Sequence, residues 1–81
     1  MKVYSVEVTG IAGNSMAETA TFPTADAAIY AGGELWSDYR DQIRRGMAEA
    51  ILWEWDFSTE TDEFKTVYVR SLTDHDYFTN N

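Results

Sequence analysis

This chain contains no cysteine, which excludes disulfide staples, thiolate metal sites and cysteine nucleophiles together. It has no apolar run approaching the roughly 20 residues needed to span a bilayer. Ser5 and Glu7 interrupt the apolar positions between Val3 and Thr9, so the beginning of the chain does not read as a signal peptide. A soluble intracellular protein is the expectation. Cations are scarce as well: six Lys and Arg stand against fourteen Asp and Glu, a net charge of -8 on 81 residues. A field of that sign repels nucleic-acid and membrane phosphates and attracts basic protein surfaces.

What is present is apolar mass. A chain this short buries only about 60% of the surface its unfolded form exposes, so its core must be dense. Three Trp, five Tyr and four Phe supply large rings, each worth on the order of 150 to 250 Å² of burial. Hydrophobic content of 44% with clear periodicity argues for one folded domain over residues 1–81, with residues 73–81 read as a polar tail.

Val3 to Thr9 alternates, Tyr4, Val6 and Val8 on one face and Ser5, Glu7 and Thr9 on the other, which predicts a strand. Gly10, Gly13, Asn14 and Ser15 supply turn chemistry. Met16 to Phe22 resumes a strand pattern, so the two segments predict an antiparallel hairpin. Pro23 and Thr24 mark a helix start, with Thr24 as the cap and Asp26 placed for the helix dipole. The helix is expected to run to about Arg45. At about 100° per residue, Ala28, Ile29, Gly32, Leu35, Trp36, Tyr39 and Ile43 share one sector. Asp26, Glu34, Ser37, Asp38, Asp41 and Arg44 share the other. Gly32 in the apolar sector would let the helix approach a sheet closely, and Gly46 after Arg44 and Arg45 is a natural stop.

Alternation returns after Gly46. The pattern predicts Ile51, Trp53, Trp55 and Phe57 facing the core, with Leu52, Glu54 and Asp56 on an acidic outer face. Ser58 to Glu63 reads as a turn and Phe64 to Leu72 as a fourth strand. In that strand Val67 and Val69 compete with Phe64 and Tyr68 for the core side. If the valines point inward, Phe64 and Tyr68 form an outer apolar patch near Leu52, a plausible protein anchor unless Tyr77 and Phe78 cover it. The fold class is α+β, in the order β-β-α-β-β: a four-stranded antiparallel sheet with one helix packed on one face.

Two acidic groups stand out. Glu34, Asp38 and Asp41 follow i, i+4, i+7 spacing and line one side of the helix, where like charges are mutually unfavourable. Glu54, Asp56, Glu60, Asp62 and Glu63 place five carboxylates within ten residues that contain no Lys or Arg. Duplex phosphates present one charge for about every 1.7 Å of axis, so carboxylate rows can imitate a backbone edge. A solvated helix face and a hydrophilic hairpin turn explain the same residues without any partner.

Other chemistries find little footing. Asp56 to Glu63 lacks the glycine and offsets of a calcium loop. His75, between Asp74 and Asp76, reads as a surface residue. Gly10 to Gly13 lacks the Lys and spacing of a phosphate loop. No Lys or Arg interleaves the Ile51, Trp53, Trp55 and Phe57 set, which therefore reads as core and not as a platform for bases. One helix on one sheet leaves little room for a catalytic cleft, so no enzymatic activity, cofactor or metal is expected.

In size, acidity, lack of cysteine and carboxylates on one helix face and one hairpin, the chain resembles the small phage-encoded anti-CRISPR proteins. The resemblance implies an inhibitor in the cytoplasm of a bacterial host that occupies a basic surface of a type I CRISPR effector complex and so blocks target DNA. On that reading Glu34, Asp38, Asp41, Glu54, Asp56, Glu60, Asp62 and Glu63 meet Lys and Arg of the partner, and the protein acts as a monomer. The alternative is an accessory interaction domain whose acidity serves solubility.

Overall fold

The computed structural model describes residues 1–58, 60 and 63–77. Four strands, β1 (Lys2–Gly10), β2 (Ser15–Glu18), β3 (Ala48–Phe57) and β4 (Phe64–Ser71), form one antiparallel sheet in the order β2-β1-β3-β4. The α+β class and the antiparallel four-stranded sheet are as the sequence predicts. β1 and β3 form the central pair, in unbroken register from Lys2 opposite Asp56 to Gly10 opposite Ala48.

The hairpin joining β1 to β2 turns where the sequence places it. Gly13 has φ of 83°, a conformation open to glycine at no steric cost, and its amide donates to the Gly10 carbonyl at 2.9 Å. β2 is shorter than expected. Beyond it, Phe22 still meets β1 through reciprocal 2.7 Å hydrogen bonds with Tyr4.

The expected single helix is three consecutive segments: α1 (Ala25–Ala31), α2 (Gly33–Asp38) and α3 (Arg40–Arg44). Thr24 caps α1, its hydroxyl accepting from the Ala27 amide at 3.1 Å. The interruptions fall at Gly32 and at Tyr39, whose φ and ψ are -111° and 14°. Main-chain bonds from Trp36 to Gly32 and from Ile43 to Tyr39, both 2.9 Å, hold the segments in succession. α3 ends in paired bonds, Met47 N–H to the Gln42 carbonyl and Gly46 N–H to the Ile43 carbonyl. Gly46, at φ of 75°, takes the left-handed position that such an ending requires.

The core lies between these helices and one side of the sheet. Val6, Val8, Ala48, Ala50, Leu52 and Leu72 from the sheet side meet Ala28 and Trp36, with Ile29, Leu35, Tyr39, Ile43 and Tyr77 packed around them. The apolar helical sector is therefore the one the sequence predicts. A short helix, α4 (Asp74–Tyr77), closes the same side: the Tyr77 ring stacks on Trp36 at 5.4 Å, and Arg70 pairs with Asp76 at 2.8 Å. Burial pushes the Tyr77 phenol up to about 12. Tyr77 thus lies on the helical side, and among the described residues no helix covers the other side of the sheet; Phe78 lies outside the described residues.

One prediction of facing is overturned. Residues directly opposite in adjacent strands share a face, and β1 sets Val6 opposite Leu52 and Val8 opposite Ala50. Leu52 therefore faces the core, with Glu54 and Asp56 on its side, while Ile51, Trp53, Trp55 and Phe57 face away from the helices. The small Ala48 and Ala50 leave room for Trp36, which the bulkier alternate set would not. In β4 an extra residue between the partners of Leu52 and Trp53 makes a bulge. Phe64 and Tyr68 lie on the open side, opposite Phe57 and Trp53, and not near Leu52 as expected. Val67 faces the helical side opposite Glu54 and remains exposed.

Gly32 marks the tightest approach of helix to sheet. A Cβ there would stand 2.9 Å from the Tyr77 hydroxyl and 3.0 Å from Val6 Cβ, whereas one at Gly33 would make ordinary 3.7 Å contacts. Gly32→Ala should therefore destabilise by about 1–3 kcal/mol, as overpacking does. Gly33→Ala should be neutral or stabilising by up to about 1 kcal/mol through helix propensity. Urea denaturation of the two variants against the parent checks the contrast.

Candidate functional site

The open side of the sheet is built from alternate residues of all four strands. Ser5 stands opposite Trp53, Val3 opposite Trp55, and Glu7 between Ile51 on one flank and Glu18 on the other. Trp53 in turn faces Tyr68, and Phe57 faces Phe64. Ring contacts run along this surface: Trp55 to Phe64 at 5.2 Å, Phe57 to Phe64 at 5.5 Å, and Trp53 edge-on to Tyr68 at 6.1 Å. Beneath them Ser5 and Ile51 are buried. Phe64 and Tyr68 remain 54% and 52% exposed, enough for their faces to be available to a partner.

Diagonal hydrogen bonds fix both indoles. Trp53 Nε1 donates to Glu7 Oε1 at 3.0 Å and Trp55 Nε1 donates to Ser5 Oγ at 2.9 Å. Trp53, Trp55 and Glu7, together with Glu18 and Thr66, surround a hollow of about 260 Å³. Glu7 and Glu18 stand directly opposite across the β1–β2 ladder, a like-charge pairing that costs stability. Burial, and then the facing Glu7 carboxylate, push the Glu18 carboxyl up from its ordinary value, while the Ser5 hydroxyl partly holds it down. Further along, Glu49 accepts from the Ser71 hydroxyl, which also bonds the Tyr68 hydroxyl at 3.0 Å.

No family model, curated protein or solved structure matches this chain. Its chemistry must be read from its own side chains. Among the described residues, no group of three or more His, Asp or Glu is placed to hold a metal ion. No helix in the described residues is long and apolar enough to cross a membrane.

The acids singled out in the sequence fall into separate sets. Glu34 and Asp38 on α2 and Asp41 on α3 are exposed on the outer surface of the helical layer. Tyr30, 89% exposed, shares a shallow hollow with Glu34 and Asp38. Glu54 and Asp56 are half-buried on the helical side of the sheet, not on the open side. Glu54 accepts from the Tyr4 hydroxyl at 3.2 Å and lies 3.9 Å from Lys2 Nζ. Asp56 stands between Lys2 and Lys65 in the strand register. Glu60 and Glu63 are exposed, and Glu63 shares a hollow with Asp56, Phe64 and Lys65. Asp62 lies outside the described residues.

The fold brings Asp56 and Glu63 together but holds them away from the helical acids. α3 leads into β3 at Ala48, and Asp56 lies at the other end of that strand, about 26 Å along it. The ion pairs among the described residues join Lys2 to Glu54, Arg44 to Asp74 and Arg70 to Asp76. None of them takes Glu34, Asp38 or Asp41.

Sequence reasoning missed Glu7, Glu18, Trp53 and Trp55 as a group. The outer position of Glu7 in β1 was legible, but which strands would flank it was not.

Glu18 makes the electrostatics of this face testable. The folded state holds its proton more tightly than the unfolded chain, so stability rises as pH falls from neutral through the folded-state pKa. Asp76 acts in the opposite sense, because its hydrogen bond to Arg70 holds its carboxyl below the ordinary value. Its contribution is complete above the unfolded value and is lost as pH falls through the folded one. Glu18→Gln should raise stability at pH 7 by roughly 0.2 kcal/mol, the solvent-screened end of cross-strand charge effects. Thermal melts should also show less gain in Tm on mild acidification for Glu18→Gln than for the parent, with the loss at strongly acid pH unchanged.

Proposed function

We propose that this protein is a binding module that attaches to a basic surface of a nucleic-acid-handling protein complex and blocks access of nucleic acid to it. The observation that carries this reading is the outward-facing carboxylate row Glu34, Asp38 and Asp41, exposed on a domain of net charge -8 and outside the ion pairs the described residues form. Such a row gains long-range attraction toward Lys and Arg of a partner and speeds encounter. Tyr30 beside Glu34 and Asp38 supplies an aromatic anchor of the kind that slows release. Glu60 and Glu63, both exposed, form a second acidic contact. The size, acidity and lack of cysteine favour an anti-CRISPR protein acting in a bacterial host, with the DNA-receiving channel of a type I effector complex as its target.

A second reading has its own observation. Glu54 is tied to Tyr4 and Lys2, and Asp56 is flanked by lysines, so these two serve the sheet as well as any partner. An accessory domain kept soluble by its acids uses all of them in that way.

The two readings separate in a DNA-binding competition. Purified type I effector complex with labelled target duplex should lose DNA on addition of near-stoichiometric protein, and the loss should weaken as salt rises and screens the charges. The triple variant Glu34→Lys, Asp38→Lys, Asp41→Lys should inhibit about tenfold less well at low salt, as expected when rim charges steer association. Its Tm should stay close to that of the parent. Undiminished DNA binding in excess protein, or equal inhibition by the variant, would overturn the proposal and leave the accessory domain.

A further inference from the structure

The six Lys and Arg are unevenly placed. Lys2 and Lys65 share the helical side of the sheet with Asp56, and Arg70 stands opposite Leu52 on that same side. Arg40, Arg44 and Arg45 belong to α3 and its cap. Among the described residues the open side therefore carries the Glu7, Glu18 and Glu49 carboxylates and no Lys or Arg side chain, next to two groups of aromatic rings, Trp53 with Tyr68 and Trp55 with Phe64 and Phe57.

We propose that this open face is the docking surface for an arginine-bearing segment of a protein partner, one guanidinium seating between the Trp53 and Trp55 indoles and the Glu7 and Glu18 carboxylates. The inference rests on the reading above that the partner is basic, and it locates a second contact, away from the helical acids.

The chemistry of the hollow selects its occupant. Both indole N–H groups are already committed, to Glu7 and to Ser5, so the site offers carboxylate acceptors, π faces and the single hydroxyl of Thr66. Phosphate and other anions find repulsion and few donors. A cation finds both elements it needs, since ammonium and guanidinium groups are attracted to indole faces and more strongly to paired carboxylates. Arginine fits better than lysine because its planar fork stacks on rings and donates to two carboxylates at once. A second copy of this chain is a poor occupant: an isologous contact through this face would set carboxylates against carboxylates.

The site is also held ready. The indoles are fixed by their hydrogen bonds and by neighbouring rings, so little side-chain entropy is lost on binding. The Glu7–Glu18 opposition, with the Glu18 carboxyl pushed up by burial and by its neighbour, is an internal cost that an incoming cation would relieve.

The probe is the peptide acetyl-Arg-Gly-Arg-Gly-Arg-amide, titrated into the ¹⁵N-labelled protein at low salt and followed by NMR. The indole N–H resonances of Trp53 and Trp55 should shift saturably, while that of the buried Trp36 stays in place. Replacing arginine by its neutral isostere citrulline should abolish the shifts, and the lysine peptide should bind several-fold more weakly. Glu7→Gln with Glu18→Gln should weaken binding about fivefold or more, the loss of charge-assisted contacts, with Trp36 unmoved as the sign of an intact fold. If the peptide perturbs only the amides around Glu34, Asp38 and Asp41, the open-face proposal is lost and the basic-partner reading stands. No perturbation anywhere counts against both. Equal binding of the citrulline peptide, tighter binding of the lysine peptide, or concentration-dependent changes at Trp53 and Trp55 without peptide would each overturn the proposal, the last in favour of self-association.

Discussion

The register between β1 and β3 determines the rest of this molecule. Nine paired positions run without interruption from Lys2 and Asp56 to Gly10 and Ala48, and opposed side chains must share a face. Once Val6 and Val8 are committed to the helices, Leu52 and Ala50 follow, and Trp53 and Trp55 are sent to the other side. A slip of one residue would exchange every side chain of β3 between the two faces. The core would then receive two indoles in place of two alanines and a leucine, and no space would remain for Trp36.

The helical layer answers this small-residue surface. Ala28, Ala48 and Ala50 make a shallow floor on which one large residue, Trp36, is buried to 2% exposure, with the Tyr77 ring stacked against it. Gly32 removes the last obstacle to close approach. The cost is helical regularity, since the chain passes through a glycine and then through Tyr39 in place of one continuous helix. The molecule is accordingly a slab, 17 Å in its thinnest Cα dimension, with room for one helical layer and none for a second.

That architecture sorts the charges. Cations gather on the helical side and in α3, where they meet Glu54, Asp74 and Asp76. The open face keeps the Glu7, Glu18 and Glu49 carboxylates beside aromatic rings, so negative charge borders apolar surface there as well as at the helical acids. Rings held beside carboxylates attract a cation more strongly than either feature alone.

The sequence by itself determined the order of the four strands with a helical stretch between the two pairs, the turn at Gly13, the Thr24 cap, the Gly46 stop, the apolar helical sector and the excess of acid. Each depends on residues close in the chain: period, backbone freedom and local hydrogen bonding. The sequence did not show the breaks in that helical stretch or the helix at residues 74–77. The tertiary structure alone decided the facing of β3, because Ile51 to Trp53 is apolar at consecutive positions and satisfies either face until a partner strand chooses. The same choice tied Glu54 to Lys2 and Tyr4, residues 50 or more positions away. It also assembled Glu7, Glu18, Trp53 and Trp55 into one hollow, since cross-strand proximity is set by pairing between segments that no local pattern connects.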